Sequence, residues 1–436
     1  MKLNKPKNEN YAAIVVEIKK IVPLENCDNV VAAVIMGNQV IVSKDIKEGD
    51  IGLYFPLECA LSKEYLSNNN LYRKPELNVD NTNKGYFEEN GRIRCVKFRG
   101  NKSEGLFMPL NSLSFASDCD GECPLIGECF DEFNGFPICS KYVVKQNRTP
   151  GTPGSKKGRD TKKYESKLVE NQFRFHQDTS MLYRNLDRIH PDDLIQISFK
   201  LHGTSGISSY VLCKRKFNWV EKLLLKLKVN IKTVDYDYLY SSRKVIKNEE
   251  LNPNAQHFYN EDIWGIAHNE VKEFLQKGMT LYYEIVGFLP NGGAIQKDYD
   301  YGCEENKHAI YIYRITQTNV DGKVFEFSAK QVQDFCKKNG LNPVPELYYG
   351  YAFELYSFQN LNDPSLESWR EEFLNYIKFQ YNEKRCFMCK NTVPEEGVVV
   401  RIEGLDCEAY KQKSNAFYAR ETAELDKGES NIEDEN

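Results

Sequence analysis

The chain has no long hydrophobic run. No apolar stretch approaches the ~18 residues that a membrane-spanning helix needs. The opening Met1-Lys2-Leu3-Asn4-Lys5-Pro6 carries no apolar leader core. These absences predict a cytoplasmic protein with no membrane partner. Charge of one sign is also lacking: 58 Lys and Arg stand against 63 Asp and Glu, a net charge of -5. No global basic field points to nucleic acid, although a local basic groove is compatible with an acidic whole. Part of the acidity lies at the end, where Glu421, Glu424, Asp426, Glu429, Glu433, Asp434 and Glu435 face only Lys427. Residues 421–436 are expected as a solvated acidic tail. Paired cysteine knuckles are missing too. Thirteen cysteines are an odd number in a large chain, which argues against a disulfide framework. Cys386-Phe387-Met388-Cys389 is a lone CxxC, two ligands where a structural zinc needs four. Cys119, Cys123, Cys129 and Cys139 lack the paired spacing of a zinc site. The expectation is reduced, packed thiols. No internal repeat is present.

What is there is an ordinary globular composition, 41% hydrophobic and 28% charged over 436 residues, long enough for two or three domains. Residues 11–56 read as short strands. Ala12 to Ile18 is mostly apolar and β-branched, and Val30 to Met36 and Val40 to Ser43 flank a Gly37-Asn38 turn. Ile93 to Phe98 and Gly105 to Met108 read as further strands on either side of an Arg99-Gly100-Asn101 turn. Several short strands with regular turns imply a small barrel or sandwich. The loop between its halves carries Tyr72, Arg73, Lys74, Lys84, Tyr86 and Phe87, a candidate contact surface. Residues 116–165 read as a linker or insertion. Within it, 147–155 is rich in Thr, Pro and Gly and runs into Lys156, Lys157, Arg159, Lys162 and Lys163. Beyond it strands and helices mix. Phe217 to Val229 fits an amphipathic helix packed on a sheet, with Lys222, Lys226 and Lys228 as its cations; Gln331 to Asn339 and Ser365 to Glu383 read as two more helices.

The most informative segment is Lys200-Leu201-His202-Gly203-Thr204-Ser205-Gly206. It follows an apolar run, Leu194 to Phe199, broken only by Gln196 and Ser198. A strand thus ends in a lysine and turns at a glycine, which presents the amine from rigid backbone and leaves room at Gly203 for a close approach. A lysine nucleophile must first lose its proton. With a reference pKa of about 10.4, being neutral at pH 7 costs roughly 4.6 kcal/mol unaided. Burial and neighbouring cations lower that cost. Lys411 and Lys413 are two apart in a predicted strand, so both point to one face and can supply such a field.

The lysine segment resembles the first motif of the covalent nucleotidyltransferases, the polynucleotide ligases and mRNA capping enzymes. Five more pieces follow in that family's order. They are Ser242-Arg243, Tyr282-Tyr283-Glu284-Ile285-Val286-Gly287, Tyr311-Ile312-Tyr313-Arg314-Ile315, Glu396-Gly397-Val398-Val399-Val400-Arg401 and Lys411-Gln412-Lys413-Ser414. The form Lys-x-His-Gly-Thr resembles the RNA ligases more than the DNA ligases or capping enzymes. Residues 16–56 with 92–110 resemble the OB module that precedes the catalytic domain in one branch of RNA ligases.

The resemblance implies an α+β protein. An OB-like barrel over 1–115 would bind nucleic acid by stacking and backbone electrostatics. A nucleotidyltransferase domain of antiparallel sheets flanked by helices would cover 166–420. It implies ATP as nucleotide, Mg2+ or Mn2+ as metal, and a monomer acting on RNA with 3′-hydroxyl and 5′-phosphate ends, including nicked duplex. Lys200 would carry the nucleotide, and Lys411 and Lys413 would meet the α-phosphate. Glu396 and Glu284 would hold metal, and Glu284 could also grip the ribose. His202 and Gly203 would border the nucleotide, Arg243 would contact ribose or a 5′-phosphate, and Tyr311, in preference to Tyr313, would stack on adenine. Phe199 stands where many relatives have Glu, so the side-chain contact that relatives make to adenine there does not carry over, while its backbone could still read the base. Removing residues 1–115 is expected to spare lysine adenylylation and weaken sealing. The competing readings are a DNA ligase or a GTP-using capping enzyme, disfavoured because the chain ends soon after Ser414, and a non-catalytic RNA-binding protein on a ligase scaffold.

Overall fold

The computed structural model describes residues 3–117, 123–143, 167–176, 178–248, 261–357, 365–406 and 408–427. The basic run 147–163 and Cys119 lie outside these residues. The amino-terminal module is built from two antiparallel sheets. One orders Cys129–Phe130, Ala13–Glu17, Ile51–Phe55 and Leu106–Pro109; the other orders Lys20–Pro23, Val30–Ile35 and Asn38–Ser43. The hairpin of the second sheet pairs Ile35 with Asn38, so its two-residue turn is Met36-Gly37, one residue earlier than the sequence suggests. Both turn residues have positive φ, 51° and 70°. That is the mirror-image turn whose twist matches the strands it joins.

Part of the expected linker joins this module. Cys129–Phe130 pairs with the first strand, and Cys139–Lys141 pairs with Cys59–Leu61. The candidate contact loop is also more self-contained than expected. Tyr72 and Phe87 enter the module's core, while Arg73 and Lys74 pair with Glu88 and Glu89.

Two larger sheets follow. The first orders Ser180–Met181, Glu408–Lys413, Gly397–Ile402, Leu194–Lys200 and Glu346–Tyr351. The second orders Val234–Ser242, Thr204–Lys214, Met279–Gly287, His308–Thr318 and Val324–Glu326. The chain passes from one to the other through Leu201-His202-Gly203, so Lys200 stands at the seam.

Alternation along the first sheet sorts its two faces. Ile195, Ile197, Val398, Val400 and Tyr410 point back into a core that also holds Phe373, Leu374 and Ile377 of helix Leu366–Tyr381. The same core contains Val16, Ile18, Ala33, Ile35, Val40 and Val42 of the amino-terminal module. The two modules therefore share one apolar interior. At its edge Lys378 Nζ donates to Gly37 O and, at 2.8 Å, to Asn38 Oδ1. Removing residues 1–115 would strip this face of the first large sheet, so the expected independence of the lysine segment from the amino-terminal module has to contend with a shared core.

Two further expectations change. Residues at the start of the acidic tail belong to helix Asn415–Asp426: Glu421 is buried, and Asp426 pairs with Arg92 and Arg94. Helix Trp219–Lys226 forms with a capping box from Asn218 and Glu221 but buries none of its residues, and Trp219 is 78% exposed. It caps the hairpin between Thr204–Lys214 and Val234–Ser242 instead of packing on the sheet. Helix Ala329–Asn339 forms as read, ended by Gly340 in the left-handed region. No helix among the described residues is long and apolar enough to cross a membrane.

Candidate active site

The front face of the first sheet is a grid of opposed residues. Gln196 lies opposite Arg401, and Arg401 opposite Ala409. In the next row Ser198, Val399 and Lys411 face one another, and in the last row Lys200, Gly397 and Lys413. The first two rows and Lys200 floor a cleft of about 130 Å³. Its other walls come from Phe199, Leu201, Ser205, Arg243, Glu284, Tyr313, Arg314, His176, Thr179 and Val344. Lys200, Arg243, Glu284, Tyr313 and Lys411, drawn from five separate segments, thus line one cavity.

Lys200 Nζ pairs with Glu396 Oε1 at 2.6 Å, with Glu396 almost fully buried. This contact favours the charged amine, opposite in sense to the cationic field expected from the sequence. Glu395, the neighbouring carboxyl, points the other way and accepts from Phe387 N–H at 3.3 Å. Burial, then the nearby Cys386 thiol, push its pKa up to about 8.

Lys411 lines the cleft; Lys413 does not. Lys413 Nζ lies 3.1 Å from Glu58 of the amino-terminal module and 3.5 Å from Glu421 of helix Asn415–Asp426. Its ammonium also faces the Phe417 and Tyr418 rings. Burial raises the Glu58 carboxyl, but Lys413 and a hydrogen bond from Glu421 outweigh it and hold Glu58 down at about 2. Glu421 moves the other way, raised well above the carboxylate range by burial and by the charge on Glu58. One cation serves two buried carboxyls, so one of them keeps its proton.

His202 lies behind the lysine. Its ring is edge-on to both Tyr299 and Phe417, its backbone N–H donates to Tyr301 OH at 2.6 Å, and its ring Nδ1 is 3.8 Å from Glu396 Oε2. Gly203 donates its N–H to Glu284 Oε1 at 3.1 Å. A Cβ at Gly203 would stand 2.3 Å from the Ile285 carbonyl, so the close approach that demands glycine is by the next strand, not by a ligand. Arg243 pairs with Asp178.

The two tyrosines separate. Both pack against the apolar cluster of Leu201, Val286 and Phe417, but only Tyr313 lines the cleft, where it shares a 3.2 Å hydrogen bond with Ser205.

Several lining residues carry no motif. His176 sits edge-on to Tyr313, and burial, then Arg314, depress its pKa to about 3, so the ring is neutral. Gln196 and Ser198 did leave a signal: they are the two polar breaks in the strand that ends at Lys200, at the spacing that puts them on its face. The cleft continues into a wider trough of about 800 Å³, which shares His176, Thr179, Arg314 and Ala409 and adds Arg174, Phe175 and Arg188.

No group of three or more His, Cys, Asp or Glu able to hold a metal exists among the described residues, and every described cysteine is free. Glu396 and Glu284 are two carboxylates beside the lysine. That sparse set suits a hard cation that takes most ligands from water and phosphate oxygens.

Comparison with known proteins follows this geometry. An OB-fold domain family model matches residues 12–110. No curated protein matches the chain by sequence. Naegleria gruberi RNA ligase with pyrophosphate is similar in structure, with a TM-score of 0.57 at 16% identity over 95% of this chain and 99% of that one. Two mutants of the same Naegleria gruberi ligase, each with ATP and manganese, give TM-scores of 0.56 and 0.55 at 18% and 16% identity, covering 95% and 94% of this chain and 99% and 98% of theirs. The chain therefore has an OB-fold module followed by the nucleotidyltransferase fold of an RNA ligase.

Proposed function

We propose that the protein is an ATP-dependent RNA ligase that joins a 3′-hydroxyl to a 5′-phosphate, acting as a monomer in RNA repair on broken or nicked RNA. The observation that carries this reading is the convergence of Lys200, Arg243, Glu284, Tyr313 and Lys411 on one cleft. The likeness to RNA ligases in fold supports it.

In the first step the Lys200 amine attacks the ATP α-phosphorus. A phosphorus–nitrogen bond forms, the bond to the bridging oxygen breaks, and pyrophosphate leaves. The amine must give up a proton, and Glu396, 2.6 Å away, stands where that proton can go. Lys411, beside Ser198 on the cleft floor, neutralises charge growing on the α-phosphate oxygens. Tyr313 and Phe199 offer the ring faces for adenine, with Tyr313 taking the role expected of Tyr311. Glu284 is held by the Gly203 N–H and faces the ribose.

In the second step an RNA 5′-phosphate oxygen attacks the same phosphorus, and the lysine leaves with its proton restored. In the third step the 3′-hydroxyl attacks the activated 5′-phosphate, and AMP departs. Arg243 and the trough bearing Arg174, Arg188 and Phe175 are the groups placed to receive the RNA end. Glu284 and Glu396 are the carboxylates that would hold a Mg2+ or Mn2+ ion, whose charge would offset that of the phosphates.

Incubation with [α-32P]ATP tests the reading. Label should attach to the protein and vanish in Lys200→Ala. Labelling that persists in that variant removes Lys200 from the chemistry and the reading with it.

A further inference from the structure

We propose that the tip of the hairpin between Thr204–Lys214 and Val234–Ser242, residues 214–232, is a docking surface for a bilayer that bears anionic lipid headgroups. The inference stands apart from the ligase reading. Its first support is charge. Over this stretch seven Lys and Arg stand against Glu221 alone, in a chain whose net charge is -5. Arg215 pairs with Glu221 and Lys232 with Asp235, each at 2.7 Å, while Lys214, Lys216, Lys222, Lys226 and Lys228 are exposed.

The second support is an apolar face turned to solvent. Trp219, Leu223 and Leu227 recur every four residues along helix Trp219–Lys226 and its cap, so they share one side, with Val220 next to them. All four are exposed, Leu227 by 67%. Lys222 and Lys226, also four apart, flank that side. An indole and leucines bordered by ammonium groups suit a helix that lies in the headgroup plane, its apolar side in the acyl boundary and its lysines reaching back to lipid phosphates. An RNA backbone would engage the lysines but leave the leucines in water. The lack of a spanning helix has no bearing on such a contact, because an interfacial helix needs none.

The third support is reach. Met279–Gly287 pairs with Thr204–Lys214 only as far as Ser209 opposite Thr280. Beyond that rung the hairpin runs on as an arm to Lys214 opposite Val234, steadied by the Gly278 N–H at Tyr210 O and a bridge from Leu168 at Cys213. At a rise of ~3.4 Å per residue, residues 210–214 carry the helix about 17 Å past the third strand. Both ends of the segment return to the arm, where Arg215 N–H bonds Thr233 O at 3.0 Å, so the helix is presented side-on. A flat surface fits this better than a groove that must enclose a helix. The cleft borders the opposite end of Thr204–Lys214, at Ser205, and stays open to solvent in the docked protein.

The test is co-sedimentation of the full chain with vesicles of phosphatidylcholine alone or mixed with phosphatidylserine, with Trp219 as a built-in reporter. Trp264 is fully buried and Trp369 is held by the Tyr356 carbonyl, so a blue shift of emission on adding vesicles should vanish in Trp219→Phe. Only the anionic vesicles should carry the protein down, and less so as salt rises. Lys222→Glu with Lys226→Glu, and separately Leu223→Ser with Leu227→Ser, should each weaken partitioning by about tenfold or more. Thermal midpoints should hold, because all four side chains are exposed. Replacing residues 216–232 by Asn-Gly, which closes the arm with a two-residue turn, should abolish binding. A chain that ignores both vesicles, binds both equally, or binds anionic vesicles as well in these variants overturns the proposal. So does a Trp219 shift brought on by duplex RNA and not by anionic vesicles, which would assign the arm to nucleic acid.

Discussion

Lys200 and Lys413 occupy one row of one sheet face, and each meets a glutamate, yet their surroundings differ in kind. Lys200 takes its partner from the neighbouring strand, and its side chain keeps 17% exposure at a cleft. Lys413 takes partners from the barrel and from the closing helix, and its side chain is 5% exposed. The first pair is local and open to water, so it can be exchanged for a ligand. The second is shared between modules and sealed, so it holds geometry. Identical residue types in register thus divide into one open to exchange at a cleft and one that braces.

The largest effect that can break this comparison is on stability. Lys413→Met leaves Glu58 buried without its cation, which should cost about 3–5 kcal/mol. Lys200→Met should cost clearly less, because water enters through the cleft and His202 stands 3.8 Å from Glu396. Urea unfolding of both variants measures the gap. Equal losses would mean that both pairs brace the fold.

A smaller effect sharpens the same contrast through Glu395, a buried carboxyl set against the Phe387 N–H and Cys386. Its folded pKa, about 8, lies above the unfolded value. Its contribution is complete below the ordinary carboxyl pKa and is lost as pH rises through 8. Stability should therefore fall between roughly pH 5 and 8. Glu395→Gln should flatten that part of the profile, read as the thermal midpoint against pH. An unchanged slope in the variant would show that Glu395 is already ionised and would blur the distinction between glutamates with and without a lysine.

Much of the cleft was legible in the chain because strand alternation is a local rule. Lys200, Ser198 and Gln196 announce one face, and Lys411 and Arg401 follow from the same period two rows across. The motif order brought Arg243, Glu284 and Tyr313 to the same cavity. Tyr311 and Tyr313 share a face and pack against one cluster, so alternation alone does not choose between them; of the two, only Tyr313 lines the cleft. Glu58 was invisible for a different reason: its partner is 355 positions away, and one glutamate in a loop looks like any other. The exposed helix Trp219–Lys226 shows the converse failure. Its apolar spacing promised burial, but it lies beyond the last rung of the sheet, where no surface is present to receive it.

That last rung has a practical side. The ladder between Thr204–Lys214 and Val234–Ser242 runs to Lys214 and Val234, one more bond joins Arg215 N–H to Thr233 O at 3.0 Å, and residues 216–232 lie outside it. The segment is therefore a detachable cassette. A fluorophore, an affinity handle or a surface anchor could be seated there, at the far end of a hairpin whose near end borders Lys200, giving a reporter rigidly coupled to the cleft without intruding on it.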